Sequence, residues 1–253
     1  MWHGDRRFLL INLVKKDFKI RYRNMSLGMF WSLLNPLVTM AVLTFVYTVI
    51  WRGPQLDFPV FVLCGLVPFN FFTMAWASST SSLVDHASTI KRVPVPRELI
   101  PIATVLGNSV HLLVQIGLLL GATLIMGHGI NRYWLFLPVL WVLELLFVCG
   151  LALITAAVNV YIRDTRYVVE SINTVLFWMV PIFYPVDKIP PEYREVYAYN
   201  PIAALVMALR SVLMDGVAPH GPILWKLAIA SAATMGIGVL LFRKLKHGFY
   251  DYL

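Results

Sequence analysis

Of the 253 residues, 59% are hydrophobic and 13% charged, and the mean hydropathy is +0.73, which excludes an ordinary water-soluble domain. The formal net charge of +8 is gathered in clusters at the ends of apolar stretches, so it reads as a membrane-topology signal and not as a nucleic-acid footprint. No cleavable signal peptide is expected, since the first twenty-odd residues are basic and precede any long apolar run.

Apolar stretches long enough, or nearly so, to cross a bilayer fall at 28–51, 58–79, 102–126, 134–160 and 223–242. A sixth, 168–183, is short, but the charges demand it. With both termini inside and six crossings, 15 of the 21 lysines and arginines lie on the inner side and 6 on the outer. An odd number of crossings would split the first and last basic clusters. The expected fold is therefore an all-α, six-span integral membrane protein, forming one multi-pass domain over 1–253 with both termini cytoplasmic. Cys64 and Cys149 both fall in apolar spans, where thiols act as small hydrophobes, so neither a disulfide nor a metal site is indicated.

Taken in chain order, residues 6–23 predict an imperfect amphipathic helix in the inner interface, with Leu10, Ile11, Val14, Phe18 and Tyr22 on one face and Asn12, Lys16, Lys19 and Arg23 opposite. Simple anchoring explains it equally well. Residues 24–28 bend the chain into the first span, where Gly28 has conformations closed to other residues. The inside connection 81–101 is a polar helical stretch closed by Val-Pro-Val-Pro, and it reads either as a docking element for a soluble partner or as a solvated turn. His111 and Glu144 sit inside the third and fourth spans, where ionisable groups suggest function, and the alternatives are a mutual hydrogen bond or a protonated Glu144 facing a neighbour. Gly117 and Gly121 present a small-xxx-small face suited to helix packing. The tight inside connection 159–166 carries Arg163 and Asp164, which suit helix capping or a partner contact.

Residues 181–214 are the most informative. Pro181, Pro185, Pro190 and Pro191 end the preceding helix, and Asn200-Pro201 restarts one with a good N-cap and a good first residue. The apolar run that follows is too short to span and carries Arg210, so it is expected to dip in from the outer side and return as a lid over a pathway. The alternative is an amphipathic helix lying on the membrane surface. Aromatics concentrate at Trp31, at Phe69, Phe71, Phe72 and Trp76, and at Phe177, Trp178 and Tyr184. Lipid-facing belts account for many of these, while others suit a pore in which ring faces stack on sugar C–H surfaces. No phosphate-binding loop, nucleophile elbow or metal-spaced histidine set occurs, so any uphill movement draws its energy from elsewhere.

The runs KKDFKIRYRNMSLGMFWSLLNPLVTM, PVPRELIPIATVLGNSVHLL, NVYIRDTRYV and WMVPIFYPVDKIP…YNPIAALVMALRSVL resemble, in order and nearly end to end, the membrane subunits of ABC exporters for O-antigen, capsular polysaccharide and teichoic acid. The resemblance implies a homodimer working with two copies of a cytoplasmic ABC ATPase in a bacterial inner or plasma membrane. A lipid-linked polysaccharide would pass through a channel at the dimer interface. ATP and magnesium would sit on the partner, with no cofactor or metal on this chain. It implies that Leu27 and Gly28 gate substrate from the inner leaflet, and that a coupling helix within 82–97 sits in an ATPase cleft. Asp85, His86, Lys91, Arg92, Arg97 and Glu98 belong to that contact, with Arg163 and Asp164 in a second. On this reading Lys19, Arg21 and Arg23 hold the lipid diphosphate. The aromatics named above line the sugar path, and Pro185, Pro190, Asn200, Pro201 and Arg210 belong to the external gate. A small-molecule exporter subunit and an integral-membrane enzyme of glycan synthesis are the competing readings.

Overall fold

In a computed structural model, residues 6–21, 30–50, 57–92 and 95–252 are described, and among them the regular structure is entirely helical. In chain order the helices are α1 (Arg6–Arg21), α2 (Trp31–Phe45, continued by a π turn Val46–Ile50), α3 (Phe58–Asp85), α4 (Ala87–Arg92) and α5 (Leu99–Ile125). They continue with α6 (Leu137–Tyr161), α7 (Thr165–Met179), α8 (Pro191–Tyr199), α9 (Pro201–Leu213), α10 (Gly221–Leu245) and the short α11 (Phe249–Tyr252). Among the described residues, five helical stretches are long and apolar enough to cross a membrane: Trp31–Ile50, Phe58–Asp85, Leu99–Ile125, Arg132–Tyr161 and Gly221–Gly248.

The helix ends follow local chemistry. Asn200 caps α9 as expected, its side chain accepting from the Ile202 (3.0 Å) and Ala203 (3.5 Å) amides with Pro201 in the first turn. α5 closes on Gly127 at φ +87°, where the His128 amide reaches the Thr123 carbonyl and the Gly127 amide reaches that of Leu124. α3 runs six residues beyond the expected Ser79. Its hydroxyl side chains bond back to the helix at Trp76 and Ser79 instead of soliciting water, and Thr80 meets Thr155 of α6 at 2.7 Å. α7 stops at Met179, short of the expected 183, because Val180 precedes Pro181 and takes extended backbone (φ −81°, ψ 134°).

α3 is the central helix, packed by α2, α5, α6, α7 and α9. α6 and α10 approach most closely at two glycines. A Cβ on Gly150 would stand 2.5 Å from the Thr234 carbonyl carbon, and one on Gly238 would stand 2.6 Å from the Gly150 oxygen. Gly117 and Gly121, whose spacing suggests helix packing, meet no other helix of the described residues, since nothing beyond their own turn lies within 4 Å of where their Cβ atoms would be. Buried polar contacts fasten other helices, Asn108 donating to Ser78 and Gln115 to the Ser32 carbonyl, both at 3.0 Å. α1 packs on α5 through Leu13 and its half-buried neighbours Leu10 and Val14, whereas Ile11, expected on that same face, is exposed beside Phe8.

The connections gather at two opposite ends. At one, Arg97 donates to the Lys246 carbonyl (2.7 Å), Tyr161 to that of Leu245 (2.7 Å), and Arg163 to that of Tyr252 (3.0 Å). At the other, His128 lies 3.5 Å from Asp57, Asn131 donates to the Val212 carbonyl (3.0 Å), and Lys226 sits 4.0 Å from the Tyr199 ring centre. The stretch from Thr165 to Ile182 carries the chain from the first end towards the second, arriving beside Gly65 and Phe61 of α3.

Candidate functional site

α7 differs from the other long helices in what it exposes. Val169 is its one buried side chain, turned to α3 with Asn173, Leu176 and Phe177 half-buried, and its exposed remainder divides into two strips. Val168, Ile172, Val175 and Met179 form an apolar strip, while Arg166, Tyr167, Glu170, Ser171, Thr174 and Trp178 form a polar and aromatic one, all of it exposed. The Arg166 guanidinium stands 3.7 Å from Glu170 one turn on and 5.0 Å from the Tyr167 ring centre. The hydroxyls of Ser171 and Thr174 donate to carbonyls of their own helix at 2.9 and 3.1 Å. None of these groups meets a partner helix of this chain in those contacts. Hydrocarbon disfavours a face that carries a carboxylate, a guanidinium and hydroxyls, so this strip calls for water or protein.

An aromatic cluster crowns α7. Phe177 and Phe183 lie 6.0 Å apart, Trp178 meets both edge-on at 5.5 and 5.6 Å, and Phe69 of α3 completes the base at 5.7 Å from Phe177. The Tyr184 hydroxyl donates to the Trp178 carbonyl at 2.9 Å, an oxygen left without its helical donor by the break at Pro181. Burial, reinforced by the Tyr197 hydroxyl 3.3 Å away, pushes the Tyr184 phenol upward, so it stays protonated and keeps donating. Tyr184, expected along the path, therefore also serves as the closing bond of α7.

Arg210 of α9 is 8% exposed. Its guanidinium donates to the carbonyls of Ile182 (2.7 Å) and Phe61 (3.2 Å) and lies 3.4 Å from the centre of the Phe61 ring. One side chain thus joins α9, α3 and the extended segment after α7. Gly65 makes this possible, because a Cβ there would stand 2.9 Å from the Ile182 Cα. Pro185 and Pro190 immediately precede the 3₁₀ turn Val186–Lys188 and α8, setting both starts in extended backbone.

Several expected site residues lie elsewhere than the sequence suggested. Phe69, Phe71, Phe72 and Trp76 are buried in the main core, where Phe72 stacks on Phe147 at 6.1 Å, so they fill the space between helices and do not face an opening in this chain. Trp31 and Trp178 are exposed, and Phe177 is half-buried. Lys91 and Arg92 are exposed at the end of α4, whose Ile90 is buried against Leu83, Phe242 and Phe249. Asp85 accepts from Ser81 at 2.8 Å, and His86 lies beside the Ser82 carbonyl at 2.9 Å. Arg97 and Arg163 bind the C-terminal segment of their own chain, and Glu98 and Asp164 immediately precede α5 and α7. Leu27, Gly28 and Arg23 lie outside the described residues, and Lys19 and Arg21 occupy the last turn of α1. The Glu144 carboxyl is fully buried and neither oxygen has a hydrogen-bond partner among the described residues, so of the alternatives the mutual bond with His111 is not formed.

The sequence reading missed Glu170, Ser171 and Thr174. The signal was present, since Arg166, Glu170 and Thr174 recur every fourth residue within an otherwise apolar stretch, a helical period with a polar face.

Residues 9–214 match the family described as ABC-2 type transporter. The chain is 28% identical over 246 residues to the O-antigen export system permease protein RfbA of Klebsiella pneumoniae, covering 97% of this chain and 95% of that one. It is likewise 28% identical over 247 residues to RfbA of Myxococcus xanthus, with the same coverage. To the polysialic acid transport protein KpsM of Escherichia coli it is 26% identical over 234 residues, covering 91% of each.

Proposed function

Since this chain belongs to the ABC-2 type transporter family, whose membrane permeases lack an ATPase domain and work with an ABC ATPase partner, we propose that its cargo is a lipid-linked polysaccharide of the O-antigen, capsule or teichoic-acid kind. The observation that carries this reading is the exposed strip of α7. Six side chains that hydrocarbon rejects, or that suit a wet interface, follow one another along a helix that crosses the bundle, and a hydrated path is the surrounding that suits them. Two copies related by a twofold axis would bring two such strips face to face around one path. Tyr167 and Trp178 offer ring faces on which sugars slide, and Glu170, Ser171 and Thr174 offer hydrogen bonds to their hydroxyls. Relatedness over the whole chain to proteins named for O-antigen export and polysialic acid transport supports the same cargo class.

On this reading α7 with the extended stretch behind it makes the sixth crossing, and both termini are cytoplasmic in a bacterial inner or plasma membrane. α8 and α9 form the external gate, with Pro185, Pro190, Asn200 and Pro201 shaping it and Arg210 pinning it. α9 suits a re-entrant element better than a surface-lying one, because ten of its thirteen residues are buried among α3, α6 and α10. Lys91 and Arg92 on α4 meet the ATPase, which holds ATP and magnesium. Lys19, Arg21 and Arg23 grip the lipid diphosphate, and Leu27 and Gly28 gate its way in. Closure of the two ATPases on ATP then moves the membrane subunits about their shared interface.

The test is mass spectrometry of lipid-linked glycans in cells depleted of this protein. One long undecaprenyl-linked polymer is expected to accumulate on the cytoplasmic side. If none accumulates and surface polymers are unchanged, the cargo is not a glycan and a small-molecule exporter becomes the better account.

A further inference from the structure

Beyond the end of α7, a cavity of about 460 Å³ opens between the 3₁₀ turn and α8, lined by Tyr184, Tyr193, Tyr197, Lys188, Met179 and Ile189. Three tyrosine rings and three apolar side chains, Met179, Ile189 and Pro190, supply its walls, with phenol hydroxyls and one ammonium as the polar groups. A few placed donors in a mostly apolar, aromatic cleft of this size are the usual make-up of a small-molecule site. Its walls are held in place. The Tyr184 hydroxyl is engaged with the Trp178 carbonyl and lies against Tyr197, and Arg194 of α8 donates to the carbonyls of Ile189 (2.9 Å) and Asp187 (2.8 Å) across the loop.

We infer that this cavity is a glycan subsite at the outer mouth of the pathway, taking one pyranose ring of the emerging chain, with tyrosine rings against its C–H face and Lys188 donating to its oxygens. The inference rests on the proposed function for its occupant. The occupant is chosen on two grounds. A pyranose is apolar on its faces and polar around its rim, which matches aromatic walls edged by hydroxyls and an ammonium, whereas an acyl chain offers nothing to those donors. The cavity also adjoins the end of the polar α7 strip, since Tyr184, one of its walls, donates to the carbonyl of Trp178, the last residue of that strip. A sugar leaving Trp178 would meet Tyr184 and then the cavity before open solvent.

The experiment places the photo-crosslinker p-benzoylphenylalanine at Tyr193, at Trp178 on the strip, and at Trp225, which is exposed on α10. The full chain is expressed with its ATPase in cells making their native surface glycan, irradiated, and examined for a glycan ladder attached to the protein. Adducts are expected at 193 and 178 and not at 225, and Lys188→Ala should lower the yield at 193 roughly three- to tenfold, the loss of one hydrogen bond, while sparing 178. An adduct at 178 without one at 193, or a phospholipid adduct alone at 193, overturns the subsite and leaves the pathway standing. Adducts at neither position, with surface glycan still exported, overturn both.

Discussion

Arg210 concentrates the energetics of the outer half of the molecule. A buried guanidinium is tolerable here because its fork reaches two carbonyls at once while an aromatic ring covers its face. Lysine keeps the charge but loses the fork. Arg210→Lys is therefore expected to cost about 2 kcal/mol, the scale of a hydrogen bond to a charged group, and to lower the thermal midpoint by roughly 4–8 °C in a detergent unfolding scan. Glycines at close approaches follow the same logic of contact. Gly150→Ala drives a methyl into the α10 backbone and should destabilise by about 1–3 kcal/mol, whereas Gly117→Ala, with open space around it, should leave the midpoint unchanged or slightly higher.

At the scale of the element, α7 is set apart by having two exposed strips of opposite character. Under the proposed function the polar strip meets water and the apolar strip meets lipid, and a cysteine reports the difference because only the thiolate reacts. Ser171→Cys and Thr174→Cys are expected to be labelled by a membrane-impermeant thiol reagent at least about tenfold faster than Ile172→Cys and Val175→Cys. The two native cysteines are buried and contribute little background. Equal labelling of both strips would remove the physical basis for a path along α7. The short length of α7 belongs to the same account. Fifteen helical residues rise only about 22 Å, and the extended segment after Val180 completes the traverse under the grip of Arg210.

Across the whole molecule, the end opposite the cavity is built as one connected plate. Ile90 of α4, Leu83 of α3, Ile100 of α5, Val160 of α6 and Phe242 of α10 share a second apolar cluster with Phe249 of α11. A displacement of α4 is thereby felt by α6 and α10, the tightest helix pair. Arg97 and Arg163 lock the C-terminal segment onto this plate, which gives these two residues work within the chain whatever they contact outside it. Removing both with Arg97→Ala and Arg163→Ala should speed amide hydrogen exchange over 246–252 by roughly five- to tenfold, leaving α3 and α6 protected. Unchanged exchange would mean that Phe249 packing alone holds the segment.

Much of this architecture was legible in the sequence because its causes are local. The length of an apolar run, the prolines that end α7, the Asn200 cap and the alternation of basic clusters act within a turn or two of themselves, and the long helices lie close to where those signals put them. The facing of side chains was not legible, because each face is chosen by helices distant along the chain. Phe72 and Trp178 are both aromatic residues in apolar runs, yet contact with Phe147 of α6 buries the first, while the second touches only its near neighbours Phe177 and Phe183 among the described ring contacts and stays exposed. Gly117 and Gly150 are likewise alike in sequence setting, and only the approach of α10 distinguishes them. From the sequence Arg97 and Arg163 read as contacts to a partner, or for Arg163 as a helix cap, and only the fold brings up the C-terminal segment, 149 and 89 residues away, whose carbonyls accept from them. Sequence by itself determined which segments are helical and at which end each connection lies, through hydrophobic length, proline chemistry and charge. Tertiary packing alone decided which of their faces are core and which stay open to a path, since burial is a property of neighbours and not of the residue.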